Sequence, residues 1–136
     1  MKPLTLSTIF EKNENISISK EVLDEIAKIG SDGHKILSIY SQNTRALYFY
    51  PVNSDVFQIK LEMFPLNPET LSKVMTKISE FSSKVVYSTG MCLIEDKCFW
   101  EGFIQEKDLI VDIEEVKKVL SSIEEIRQVQ TTKIEK

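Results

Sequence analysis

A chain of 136 residues, 42% apolar and 28% charged, suffices for one ordinary domain or two very small ones. Its formal charge is −4, and no block of it is basic in the manner of a nucleic-acid-binding face. No stretch approaches the roughly 20 apolar residues of a membrane span, and Met1–Ser7 lacks a basic start followed by an apolar run. The expectation is a soluble cytoplasmic protein with no membrane partner.

In chain order, Leu4–Phe10 and Ile16–Ile18 alternate apolar with polar residues, as half-buried strands do, with EKNEN as the turn between them. Ser19 is then a natural N-cap. Val22, Leu23, Ile26 and Ala27 follow on one helical face, and Gly30 stands where a C-terminal cap is expected. Ile36–Tyr40 and Leu47–Tyr50 read as two strands joined by Ser41-Gln42-Asn43-Thr44. The pattern breaks at Pro51–Asp55, which sets a boundary between a β-rich module over 1–52 and a second domain over 56–136.

The second part is more regular. Val56–Met63 (VFQIKLEM) alternates as a strand. Asn67-Pro68 supplies an N-cap and a proline at the first helical position, ahead of an apolar stripe at Leu71, Val74, Met75, Ile78 and Phe81. Lys84–Ile94 and Cys98–Gln105 read as long strands around the turn Glu95-Asp96-Lys97. Asp112 and Glu115 have capping-box spacing, and Ile113, Val116, Val119, Leu120 and Ile123 form a second stripe. Ile126–Ile134 closes as a strand. The fold class is therefore α+β, with a βαββαβ second domain.

The segment Lys84–Gly102, KVVYSTGMCLIEDKCFWEG, holds both cysteines and the single tryptophan. A zinc site needs about four ligands, and a redox CxxC pair has two intervening residues rather than five. In an unsecreted chain Cys92 and Cys98 read as reduced thiols that pack as small hydrophobes. A two-residue turn would send them to opposite faces of the hairpin; a three-residue turn would leave them diagonal on one face. Tyr87-Ser88-Thr89-Gly90 offers hydroxyls beside a glycine, which admits a ligand or another backbone; the plainer alternative is a β-bulge. His34 reads as a solvated loop residue, and Phe99, Trp100 and Phe103 as core and interface aromatics.

Two resemblances follow from these residues. Val56–Lys136, ending in EEIRQVQTTKI, resembles an ACT regulatory domain in its order of strand, helix, long hairpin, helix and strand. That resemblance implies a ferredoxin-like fold that pairs through its sheets and holds a small-molecule ligand. The residues it implies for the ligand are Pro65, Leu66 and Asn67 together with Ser88, Thr89, Gly90 and Met91. The segments ISISKEVLDEIA and KILSIYSQNTRALYFYPV are similar to the strand–helix core and closing hairpin of AbrB-type swapped-hairpin domains. This second likeness implies an intertwined dimer that touches DNA through Lys12, Lys20 and Lys28.

No nucleophile elbow, phosphate loop, dinucleotide fingerprint or zinc-protease motif is present, so no catalytic residue, metal or cofactor is assigned. The expected function is non-enzymatic, ligand-responsive regulation by a homodimer, with transcription as the implied output. A protein–protein interaction module without a ligand is a second reading, and a small enzyme a third.

Overall fold

The computed structural model describes residues 7–9, 11–12, 15, 17–29, 35–64, 67–92 and 97–135. It is mixed α+β, with six strands in two antiparallel sheets and three α-helices among the described residues. The chain divides into two compact units, Met1–Pro51 and Val52–Lys136.

In the first unit, helix α1 spans Lys20–Ala27 and is capped by Ser19, whose side chain accepts from the Val22 N–H. Strands β1 (Lys35–Ser41) and β2 (Ala46–Val52) form a two-stranded sheet. Leu37, Ile39 and Ser41 are buried on alternate positions of β1. The turn that joins them places Arg45 in the left-handed region, at φ 53. Left-handed backbone at a side chain other than glycine, asparagine or aspartate is uncommon, so the tetrad SQNT located the turn but not its strained residue. Of the two strands expected ahead of α1, the described parts, Ser7–Ile9 and Ser17–Ile18, have no ladder partner; the rest lies outside the described residues, as does Gly30. Apolar alternation marks a face but cannot supply a partner, and a lone hairpin is marginal in water.

The second unit has β3 (Val56–Met63), α2 (Pro68–Phe81), β4 (Tyr87–Cys92), β5 (Cys98–Gln105), α3 (Ile113–Ser121) and β6 (Ile126–Ile134). Its strands lie in the order β4-β5-β3-β6, all pairs antiparallel. The register places Ile59, Leu61 and Met63 of β3 on the same face as Trp100 and Ile104 of β5 and Val129 of β6. These residues form one core with Val74, Ile78 and Phe81 of α2 and Val116 and Leu120 of α3, so both helices cover that one face. Two one-sided helices need a common apolar surface, and the period-2 pattern of β3 provides it. Thr70 is buried where the stripe pointed to Leu71, which stays 41% exposed.

Helix α2 starts where Asn67 Oδ1 accepts from the Thr70 N–H at 2.8 Å and its hydroxyl at 3.1 Å. Helix α3 starts where the Asp112 carboxylate accepts from the Glu115 N–H at 2.9 Å. The strand expected over Lys84–Ile94 begins later, and Leu93 and Ile94 lie outside the described residues. Pairing begins at Tyr87, because Lys84 is held in a turn by the Ser82 hydroxyl, which donates to its carbonyl at 2.6 Å.

Candidate functional site

The β4–β5 hairpin is organised around Trp100. Its indole lies on the helix-bearing face, only 7% exposed, and folds back over Gly102, two residues along the same strand. A Cβ at Gly102 would run into the six-membered ring, within 2.7 Å of Cζ2 and Cζ3 and closer still to Cη2. Gly90 stands directly opposite Trp100 on β4, where a Cβ would be 3.9 Å from the indole Cδ1 and 3.4 Å from the Phe99 carbonyl oxygen. These are ordinary contacts, so Gly90 is not required for packing. The ladder runs through Gly90 without a register shift, which removes the bulge as its explanation.

The thiol reading is corrected by the structure. Cys92 and Cys98 are joined by a disulfide, with Cα atoms 4.1 Å apart, and no described cysteine is free. They are a direct cross-strand pair at the turn end of the hairpin, the last pair before the connection between β4 and β5. The physical reason is loop length. Pairing stops at Cys92, so five residues rather than two or three separate the strands, and residues directly opposite in an antiparallel ladder share a face. No described helix is long and apolar enough to cross a membrane.

The ligand residues divide. Pro65 and Leu66 lie outside the described residues. The Asn67 carbonyl oxygen is committed to capping α2. Ser88 and Gly90 are exposed on the helix-bearing face of β4, whereas Thr89 and Met91 lie on the other face. Met91 is level with Phe99 and Glu62, beside the end of β3 from which the Phe64–Asn67 loop departs. Ser88 is level with Ile59, three residues lower, or about 10 Å. Strand β4 is two strands, about 10 Å, from β3. Gly90 and Met91 are thus the candidate residues nearest the loop.

Near this end, Lys97 pairs with Glu62 at 2.9 Å and stands 5.7 Å from the centroid of the Phe99 ring. Arg127 stacks over Phe64 at 5.0 Å. A shallow groove on the outer side of α2 runs past Lys73, Thr76, Lys77 and Ile123. Both of its lysines are paired, Lys73 with Glu125 at 2.9 Å and Lys77 with Glu80 at 3.2 Å. The Lys73 hydrogen bond, then the residue's own backbone N–H, hold the Glu125 carboxyl below its usual range, and the same bond raises the Lys73 ammonium.

In the first unit Lys12 is exposed, Lys20 opens α1 and Lys28 caps its far end, paired with Glu25 at 3.2 Å. Eight residues of helix separate Lys20 from Lys28 by about 12 Å, with Glu21, Asp24 and Glu25 between them. The three lysines are therefore not gathered by α1 into one patch. His34 lies outside the described residues, and no group of three or more His, Cys, Asp and Glu able to hold a metal occurs among those described. Sequence reasoning missed the disulfide; five intervening residues, an odd number, was the available signal for direct opposition.

No protein-family model matches the chain, and no curated protein matches it significantly.

Proposed function

We propose that the Val52–Lys136 unit is an ACT-like sensing domain for a small molecule, that the protein acts as a homodimer, and that the Met1–Pro51 unit is its output module. The observation that carries this reading is the strand order β4-β5-β3-β6 with both helices on one face, the arrangement of a ferredoxin-like βαββαβ domain. The exposed edge-strand residues Ser88 and Gly90 support a ligand site there: small side chains leave backbone groups open to an approaching molecule. Amino acids are the ligand class that the ACT likeness suggests, and duplex DNA is the output target that the swapped-hairpin likeness suggests.

The test is a thermal-shift screen of the full chain against the twenty amino acids, with sedimentation velocity run in parallel. A ligand present at 100 times its Kd stabilises the native state by about 2.7 kcal/mol, several degrees in Tm. Gly90→Ala fits the fold, so it serves as the site probe: it should keep the unliganded Tm and lose the shift. A monomer at micromolar concentration that responds to none of the amino acids would overturn the proposal. A salt-dependent mobility shift of duplex DNA tests the output module separately.

A further inference from the structure

We propose that the Cys92–Cys98 disulfide is a reversible redox clasp, which holds the C-terminal half of β4 on the sheet and frees it when a dithiol reduces the bond. Nothing in this step requires a bound ligand, so it stands apart from the sensing role.

The two ends of β4 are attached differently. At the N-terminal end Tyr87 rests against Phe103, with ring centroids 6.3 Å apart, and the Val86 N–H donates to the Phe103 carbonyl at 2.8 Å. At the C-terminal end the side-chain tie is the disulfide itself. Strand β4 is an edge strand whose ladder partner is β5, and none of its residues belongs to the core. Gly90, Met91 and Cys92 are all exposed, and Gly90 brings high backbone entropy with no side chain to pack. Once the bond is cut, the five-residue connection to Cys98 still tethers this end, but on the ladder itself these three residues are held by edge hydrogen bonds for which water competes.

The pair is also asymmetric. Cys92 is exposed, whereas Cys98 is 2% exposed on a strand anchored by Trp100, Phe103 and Ile104. An incoming thiolate therefore attacks Cys92 Sγ. The S–S bond breaks, its electron pair passes to Cys98 Sγ, and that sulfur takes up a proton. The reductant's second thiolate attacks the mixed disulfide, releases Cys92 as a thiolate that is protonated in turn, and closes its own disulfide. Two electrons and two protons reach the protein, and the dithiol leaves oxidised. Cys98 stays in place as a small buried hydrophobe, and Cys92 has no such hold, so β4 is the strand that moves. Exposed disulfides of this kind are the labile ones. A disulfide oxidant, such as glutathione disulfide, reverses the step.

The experiment follows amide exchange by NMR in the full-length protein, oxidised and then reduced with dithiothreitol in native buffer. Reduction should proceed without denaturant, and exchange at Gly90–Cys92 should rise tenfold or more while β3 and α3 keep their protection. Cys92→Ser should show the fast exchange with or without dithiothreitol, and glutathione disulfide should restore slow exchange in the wild type. The clasp is overturned if reduction needs denaturant, if exchange at Gly90–Cys92 does not change, or if β3 and α3 lose protection to the same extent. Failure of glutathione disulfide to restore protection would overturn its reversibility.

Discussion

Adding one methyl group at Gly102 tests the packing of the whole hairpin. In Gly102→Ala the new Cβ falls within 2.7 Å of two carbons of the Trp100 ring and closer to a third. Carbon atoms in contact prefer about 3.5–4.0 Å, so the indole must retreat by about 1 Å or more. It has little room, because Trp100 is part of the core that contains Leu61, its neighbour on β3. Overpacking of this kind costs about 1–3 kcal/mol. The overlapping atoms all belong to the six-membered ring of the indole, whose far edge phenylalanine lacks. In a Trp100→Phe background the same methyl should therefore cost less than about 0.5 kcal/mol, since alanine also relieves the entropic penalty of glycine in a strand. The expected coupling is at least about 0.5 kcal/mol. Urea unfolding followed by far-ultraviolet circular dichroism measures all four proteins. Trp100 is the only tryptophan, so a red-shifted emission in Gly102→Ala reports its displacement directly. Unshifted emission with unchanged stability, or equal costs in both backgrounds, would refute the packing described for this pair.

Leu120→Ala removes a side chain that is fully buried between α3 and the sheet, and a loss of about 2.7–5 kcal/mol in chemical denaturation is expected. Asn67→Ala deletes the acceptor for the Thr70 N–H and hydroxyl, which should cost about 1–2 kcal/mol and fray the first turn of α2 in amide exchange. The Lys73 hydrogen bond holds the Glu125 carboxyl below the ordinary glutamate range, so its contribution to stability is complete above that range and is lost as pH falls through the lower native value. The same bond raises the Lys73 ammonium above the ordinary lysine range, so its contribution is complete below that range and is lost as pH rises through the higher native value. Carboxyl NMR titration should show the Glu125 midpoint rise in Lys73→Met; an unmoved midpoint would refute the pairing. Arg45→Gly relieves left-handed backbone and should stabilise the first unit by about 1 kcal/mol in thermal unfolding.

Much of the second unit was legible because local and long-range signals agree there. The alternation of VFQIKLEM, the caps Asn67 and Asp112 and the two helical stripes each specify an element, and one apolar sheet face can receive both stripes. The buried Thr70 was not legible, because its hydroxyl is satisfied by the same Asn67 cap that begins the helix. Nor was the disulfide, since pairing of Cys92 with Cys98 depends on where the β4–β5 ladder stops, and apolar residues such as Leu93 and Ile94 prolong the strand pattern past that point. The ends of β4 illustrate the same difficulty, as the Ser82 hydroxyl bond to the Lys84 carbonyl delays pairing in a run of strand-forming residues. For the candidate site, Ser88–Met91 were expected to act as a group, but period-2 alternation distributes them over two faces of one strand.

The position of β3 has a consequence for the order of events during synthesis. This strand emerges first in its unit, yet it lies between β5 and β6, and Val56 finds one of its partners only at Ile134. A nascent chain that has not yet delivered Ile126–Ile134 therefore presents VFQIKLEM with one side of its backbone unpaired, a template for pairing with a neighbouring chain. Closing so distant a contact is slow compared with forming α2 or the β4–β5 hairpin. Ribosome stalling ahead of Ile126 should then leave an aggregation-prone product, and release of the last nine-residue strand should make it soluble.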